Sequence, residues 1–424
     1  MTTAPAHSRD PFGWTCAAAL LFLVLALVRI DIPSKLYFDE VHYLPAVRSL
    51  MEFGTARNLE HPPLAKQLMA LGLWLFGDRP LGWRAMSVVF GTLALFAMMR
   101  AAWFASNSRA VSLLTGLFAG TNFLLFVHAR IAMLDIFMAA FVMVALWMCA
   151  AAVREPEKAR LCLALAGAAM GAAMAAKWNA IPLAVLPGLA FFVARLAAGR
   201  RRLLLSRRGW PVPGISLAEA FVWLGLVPLA VYTLSFWPFL FYSNVPGNAS
   251  GLISLHAYML ELQTQVFQPH PYQSVWWQWI GNLRTIWYLY EEVDGAQRGV
   301  MLIGNPLTML AGLLALSWCA WAAWAQRRRD AMAAVVLFVA SLALWVVAPK
   351  PVQFYFHYLL PGCFLSYALA LGVERLWQSG ERLVPAALVL GAAGLFAYWF
   401  PVLTAAPLEG PQSFLQWAWF EGWR

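Results

Sequence analysis

Long runs of apolar residues limit what this chain can fold into more than any other feature. Of its 424 residues, 62% are hydrophobic and 12% are charged, whereas a soluble domain is about 45 to 50% apolar and about 25% charged. A membrane-spanning helix needs about 20 mostly apolar residues, so the sequence predicts an all-α, multi-pass membrane protein with about eleven spans. Their predicted centres lie near residues 22, 92, 118, 141, 168, 188, 228, 312, 340, 363 and 394.

The first apolar run and the cysteines both fit this class. No A-x-A-like cleavage site follows the first run, so we expect it to remain in the mature protein as the first span. All of the cysteines lie in apolar runs, at Cys16, Cys149, Cys162, Cys319 and Cys363. They therefore predict neither a disulfide framework nor a zinc ribbon.

Basic residues cluster in four short connections between the predicted spans. The chain carries a formal net charge of +10, and its clusters lie at 154–160, 195–210, 326–330 and 374–383. Short loops rich in Lys and Arg stay in the cytoplasm, so we expect these connections and the N-terminus inside and the C-terminus outside. No nucleic-acid-binding motif accompanies the charge, and we expect membrane lipids, with no nucleic acid, as its partners.

This orientation leaves two long loops, residues 31–80 and 241–299, on the outer side. Both are rich in aromatic residues, which favour the depth of the lipid headgroups. In the first loop Val41, Leu44, Val47 and Met51 have the spacing of one helical face. We therefore expect both loops to contain segments that lie along the membrane surface.

Ionisable residues in or beside apolar spans are costly and usually face a wet cavity or the interior of the helix bundle. Cations can hold a phosphate through charge-assisted hydrogen bonds, and a carboxylate can accept the proton of an incoming hydroxyl. The ionisable residues on the outer side therefore predict a site there for a lipid-linked anionic substrate. Its ionisable residues are Asp39, Glu40, His42, His61, Lys66, Arg84, Arg130, Asp135, Lys177, Lys350 and His357.

Structural roles remain open for some of these residues. Asp39 precedes an amphipathic segment, and aspartate is a common N-cap residue of helices. Glu40 would then lie in the first turn, where a negative side chain interacts favourably with the helix dipole. A single Lys or Arg can instead snorkel to the headgroups. On a continuous helix the side chains of Arg130 and Asp135 would point in directions about 140° apart. They can therefore meet only if a non-helical turn precedes the span. We expect Asp135 to form a structural ion pair.

The outer histidines leave a metal site as an alternative. Imidazole and carboxylate are ordinary metal ligands, and the outer loops hold His42, His61, His256, His270, His357 and Glu261. The sequence has no compact H-x-x-x-H pattern. We therefore predict no metal site and no required cofactor, with a divalent cation as the alternative.

Eight strings, in order along the chain, resemble the protein O-mannosyltransferases, which use dolichyl or polyprenyl phosphate mannose. They are YFDEVHY (37–43), EHPPLAKQLMALG (60–72), WRAMSVVFGTL (83–93), ARIAMLDIFMAAFV (129–142), GAAMAAKWNAI (171–181), HPYQSVWWQW (270–279), IGNPL (303–307) and FYFHYLLP (354–361). The resemblance implies the GT-C fold in a single membrane domain, residues 1–424. It also implies an inverting transfer of mannose from a polyprenyl-phosphate-linked donor to a Ser or Thr hydroxyl of a secreted or membrane protein.

The resemblance also implies roles for individual residues. It places the acid pair of the active site on Asp39 and Glu40, with Asp39 as the base, and it associates Arg84 with activity. Arg130 matches a position with a structural or phosphate-binding role. We expect the donor phosphate or substrate to contact Arg84, Arg130, His61, Lys66, Lys177, Lys350 and His357.

The second outer loop is too short to hold the MIR domain of the eukaryotic members. The chain is therefore similar to the compact bacterial members, which implies the bacterial inner membrane with a periplasmic active site. Two other functions stay open. One is transfer of another sugar, or transfer to a lipid or glycan, as in the related aminoarabinose transferases. The other is transport of a lipid-linked substrate, for which we find no internal repeat.

Overall fold

The computed structural model describes residues 9–198, 203–246, 251–265, 268–348, 350 and 352–424. Most of them are helical, as the apolar pattern predicts. The helices are α1 (Phe12–Leu27), α2 (Glu40–Met51), α3 (Leu64–Phe76), α4 (Pro80–Ser106), α5 (Arg109–Gly120), α6 (Phe123–His128), α7 (Leu134–Arg154), α8 (Ala159–Ala176), α9 (Ile181–Ala197), α10 (Leu217–Phe221), α11 (Val227–Leu234), α12 (Leu252–Thr264), α13 (Trp276–Ile280), α14 (Pro306–Ala325), α15 (Arg329–Val347), α16 (Leu359–Gln378) and α17 (Leu383–Leu403).

Every predicted span centre falls in an apolar helix. Among the described residues, nine helices are long and apolar enough to cross a membrane. One of them, Leu217–Leu234, joins α10 to α11 through a π-helical turn. The centres near residues 22 and 118 fall in the shorter apolar helices α1 and α5. The prediction of a multi-pass helical membrane protein is confirmed, and nine helices in the described part of the chain have the length of a full span.

Small residues let the helices pack closely inside the bundle. Gly167 and Gly171 form a G-x-x-x-G pattern on α8, and a Cβ at either position would collide with the backbone of the Trp223–Pro228 segment. Such spacing is a common way for membrane helices to approach each other. Residues 359–371 of α16 are all buried, whereas large apolar side chains such as Trp324 and Leu390 are exposed on α14 and α17. These exposed side chains indicate a lipid-facing surface.

The described parts of the outer loops contain regular secondary structure. The first contains α2 and α3, and the second contains α12, α13 and an antiparallel hairpin of β1 (Ile286–Val293) and β2 (Ala296–Leu302). Asp294 and Gly295, both at positive φ, form the tight turn between the strands, as Asp-Gly pairs commonly do. This hairpin was not among the elements predicted from the sequence.

The buried face of α2 differs from the predicted one. Leu44 and Val47 are buried as expected, but Val41 and Met51 are exposed. Tyr43 and Leu50 are buried in their place. The face of α2 that packs against α3 and the bundle core is therefore rotated from the predicted face.

Four spans separate the basic clusters from the residues expected on the outer side. Helix α8 begins within the cluster at 154–160 and ends beside Lys177, and α15 begins within the cluster at 326–330 and leads toward Lys350. Helices α9 and α16 run in the opposite sense, toward the other two basic clusters. The described residues of these two groups therefore lie at opposite ends of the bundle, and residues 199–202 of one cluster lie outside the described ranges.

Candidate active site

A cavity of about 520 Å³ lies at the end of the bundle remote from the basic clusters. It brings together five of the residues expected at the site, from four separate segments of the chain: Asp39, His61, Lys177, Lys350 and His357. The rest of its lining consists of Phe38, His42, Tyr43, Asn58, Glu60, Leu262, Gln263, Gln265, Gln268, His270, Val352, Phe354 and Phe356. Carboxylates, cations and aromatic rings therefore meet in one space.

Asp39 lies immediately before α2 and lines this cavity. Its side chain accepts no capping hydrogen bond from the helix backbone, so the alternative capping role is not observed. Tyr43 Oη donates a long hydrogen bond of 3.4 Å to Asp39 Oδ2. Burial raises the pKa of Asp39 to about 6, with Asp135 adding to this effect and Lys177 opposing it. Asp39 is therefore mostly ionised at pH 7 and suited to accept a proton.

The β-hairpin holds the backbone beside Asp39. Phe38 has a left-handed conformation with φ of 50°, which costs free energy and persists only where the surrounding structure imposes it. Its ring stacks on Tyr288 of β1 at a centroid distance of 3.8 Å. The second outer loop thus fixes the direction in which the neighbouring carboxylate points.

Glu40 points away from the cavity and forms a buried ion pair with Arg84. Arg84 Nε and Nη2 donate to its two carboxylate oxygens at 2.8 and 2.9 Å. The other guanidinium hydrogens bind the carbonyls of Ile30, Pro33 and Lys35 at 2.8 to 3.1 Å. All five N–H donors of the guanidinium are therefore used inside the protein. Arg84, expected at the donor phosphate, does not line the cavity.

Asp135 forms the expected ion pair, but with Lys177 in place of Arg130. Lys177 Nζ lies 2.9 and 2.7 Å from the two Asp135 oxygens, and both side chains are buried. The pair joins the start of α7 to the turn between α8 and α9. Because Lys177 also lines the cavity, its position relative to Asp39 is fixed by a partner behind it.

Two other expected cations lie outside the cavity lining. Lys66 Nζ donates to the carbonyls of Asn58 and His61 at 2.6 and 2.9 Å, which folds the segment that carries His61. Arg130 follows α6, donates to the Ala26 carbonyl and lies over the ring of Phe126. These contacts stabilise the loop and the bundle around the cavity.

Lys350 supplies a cation without a carboxylate partner among the described residues. Its Nζ lies 3.3 Å from Gln263 Oε1, and none of the ion pairs within the described ranges includes it. Burial, followed by the charges of Lys177 and Lys350, lowers the pKa of His61 well below its usual value. His61 is therefore neutral at pH 7. His357 packs its ring on Trp345 at 3.6 Å.

Glu60 and Gln263 line the cavity but were not among the expected site residues. Glu60 stands next to His61 in the EHPPLAK string, so its position gave a signal, and Asn58 Nδ2 donates to it at 2.6 Å. Gln263 lies in a polar stretch with no distinguishing pattern.

Over the described ranges, no group of three His, Cys, Asp or Glu side chains is placed to hold a metal ion.

Comparisons with known proteins agree with this architecture. Models of the dolichyl-phosphate-mannose-protein mannosyltransferase family match residues 16–83 and 60–224, and a model of the C-terminal four TMM region of protein-O-mannosyltransferase matches 249–423. A polyprenol-phosphate-mannose–protein mannosyltransferase of Corynebacterium glutamicum is 28% identical over 92% of this chain and 87% of the relative. One of Mycolicibacterium smegmatis is 29% identical over 97% and 93%.

Solved structures show the same fold at low sequence identity. The Saccharomyces cerevisiae protein O-mannosyltransferase Pmt1-Pmt2 complex bound to the sugar donor matches with a TM-score of 0.81 at 14% identity, over 98% of this chain and 93% of that one. Apo ArnT from Cupriavidus metallidurans matches with a TM-score of 0.63 at 19% identity, over 96% and 68%. The fold is that of a GT-C membrane glycosyltransferase. The chain belongs to the protein O-mannosyltransferase family.

Proposed function

We propose that this enzyme moves mannose from a polyprenyl-phosphate-linked donor to a Ser or Thr hydroxyl of a protein, with inversion at the sugar carbon. One observation carries the proposal. Asp39, a carboxylate with a pKa of about 6, lines the same cavity as Lys350, a cation without a carboxylate partner among the described residues. A base and a phosphate-binding group are the two functions that this transfer requires.

The chemistry needs one base and no acid. Asp39 takes the proton of the acceptor hydroxyl as the oxygen bonds to C1 of mannose, and the bond from C1 to the phosphate oxygen breaks. The electron pair of that bond leaves with the prenyl phosphate, which is a good leaving group. Lys350 holds the phosphate both in the bound donor and as it leaves, while His61 and His357 supply hydrogen bonds. Inversion follows because acceptor and phosphate lie on opposite faces of the sugar.

Glu40 and Arg84 serve this reaction by positioning Asp39. Their buried two-point pair fixes the start of α2 against α4, and Glu40 Oε1 also accepts the backbone N–H of Ala132 at 3.1 Å. The expectation that Glu40 is catalytic and that Arg84 binds phosphate is replaced by this role in the proposal. Lys66 and Arg130 likewise support the segments around the cavity.

The proposed orientation places the cavity on the periplasmic side of a bacterial inner membrane. The basic clusters lie at the opposite ends of the spans from Lys177 and Lys350, and short basic loops stay in the cytoplasm. The donor phosphate and an exported protein acceptor would then meet at the outer surface.

Transfer by purified protein tests the proposal. The protein is incubated with polyprenyl phosphate carrying radiolabelled mannose and a peptide rich in Ser and Thr, and a matched peptide with Ala at those positions is the control. We expect alkali-labile mannose on the first peptide only, with the anomeric configuration inverted. Transfer to lipid in place of peptide, or use of aminoarabinose in place of mannose, would overturn the proposal.

A further inference from the structure

Helix α12 forms one wall of the cavity and is anchored at both ends. Leu255 and Met259 form its buried face, in a small cluster with Ala56 and Leu59 of the first outer loop and Phe236. The opposite side is exposed, with Ile253 at 89%. The helix therefore binds the first outer loop and the end of α11 on one face and leaves the other to the surroundings.

A chain of hydrogen bonds anchors the N-terminal half of α12. Trp178 Nε1 donates to Tyr232 Oη at 2.9 Å, and Tyr232 Oη lies 2.6 Å from His256 Nε2. His256 Nδ1 lies 2.7 Å from the Leu252 carbonyl, so Nδ1 carries the proton and Nε2 accepts from Tyr232. Since Trp178 follows Lys177, the helix is tied to the turn that holds this lysine.

Gln263 in the last turn of α12 joins the two other parts of the cavity. Its Nε2 donates to the Glu60 carbonyl at 2.6 Å and lies 3.5 Å from His61 Nδ1. Its Oε1 accepts from Lys350 Nζ at 3.3 Å. One amide thus contacts the first outer loop and the segment before α16, and its own position is set by α12.

We infer that Gln263 is a positioning residue for the phosphate-binding side of the active site, acting through Lys350. A lysine side chain has many rotamers, and ordering it costs conformational entropy. With no carboxylate partner among the described residues, the Lys350 ammonium is held by the Gln263 amide, which fixes its place without neutralising it. An acidic residue here would pair with the ammonium and compete with the phosphate. The inference rests on the proposed function and adds a residue to that site.

Kinetics of single and double variants test this role in the full-length protein. Gln263→Leu keeps the side-chain volume and removes both hydrogen bonds. We expect the KM for polyprenyl phosphate mannose to rise about tenfold, as expected for one hydrogen bond to a charged group, with kcat changed less than about twofold. Lys350→Met should raise the same KM further. Because Gln263 acts through Lys350, adding Gln263→Leu to Lys350→Met should then have no further effect.

Glu261→Ala is the control, since Glu261 is exposed on the same helix and should keep wild-type kinetics. Additive effects in the double variant, or an unchanged donor KM in Gln263→Leu, would overturn the role of Gln263 and leave the proposed function intact. A wild-type protein that transfers no mannose from this donor would overturn both.

Discussion

Glu40 and Arg84 form a buried ion pair in which the guanidinium contacts both carboxylate oxygens at 2.8 and 2.9 Å. The adjacent Asp39 faces the cavity. Two neighbouring acids therefore have different environments, one neutralised inside the protein and the other open to substrate. This division separates the residue that accepts a proton from the residue that fixes its position.

Replacement of Arg84 should act mainly on stability. Arg84→Ala leaves Glu40 buried without a cationic partner, and breaking a buried pair in this way costs about 3 to 5 kcal/mol. We expect a large fall in the unfolding temperature of the detergent-purified protein, measured by tryptophan fluorescence. Arg48→Ala is the control, because the Arg48–Asp78 pair has a similar distance of 2.8 Å but exposed side chains and should cost less than about 1 kcal/mol. A stable Arg84→Ala protein with only a raised donor KM would instead assign Arg84 to the phosphate.

The pH dependence of transfer should report Asp39. The base works as a carboxylate, so kcat/KM should fall as the pH drops below about 6, the pKa of Asp39 in the folded protein. The hydrogen bond from Tyr43 stabilises the charged form. Tyr43→Phe should therefore move this acid limb to higher pH, by less than about one unit because the bond is long. A limb near the ordinary aspartate value of 3.8, or a shift to lower pH in Tyr43→Phe, would contradict this assignment.

The orientation of the protein can be tested by cysteine labelling in intact cells. Glu292 is exposed on β1 and Ser379 is exposed after α16, at opposite ends of the bundle. We expect a membrane-impermeant maleimide to label Glu292→Cys but to label Ser379→Cys only after the cells are opened. The wild-type protein, with its own cysteines in apolar helices, serves as the blank. Labelling of Ser379→Cys in intact cells would reverse the proposed orientation.

The apolar runs predicted the helical membrane fold. Several residues of the site were predictable because ionisable side chains are rare in and beside such runs. Asp39, Lys177 and Lys350 stand out in apolar surroundings, and the basic clusters separate the two ends of the spans. Partners were harder to predict, since pairing depends on how helices pack. The Arg84 guanidinium reaches back to Glu40 from another helix, and Asp135 bonds Lys177 across the bundle.

The β-hairpin and the role of Gln263 differ in how clearly the local sequence indicates them. The Asp294-Gly295 pair between strand-like runs is a strong hairpin signal, so the β-hairpin was predictable from local sequence. Gln263 had no such signal, because an amide in a polar segment has many surface roles. Its function depends on the approach of Glu60 and Lys350, which only the tertiary structure provides.

Transfer by Asp39→Asn tests the central claim most directly. The variant keeps the size of the side chain but loses the base, and a general base contributes about 10²- to 10⁴-fold. With radiolabelled polyprenyl phosphate mannose and a Ser- and Thr-rich peptide, we expect a folded protein whose kcat falls by at least about 100-fold. Glu52→Gln, which removes an exposed carboxylate at the other end of α2, should keep wild-type kcat. Wild-type turnover in Asp39→Asn would show that another group accepts the proton.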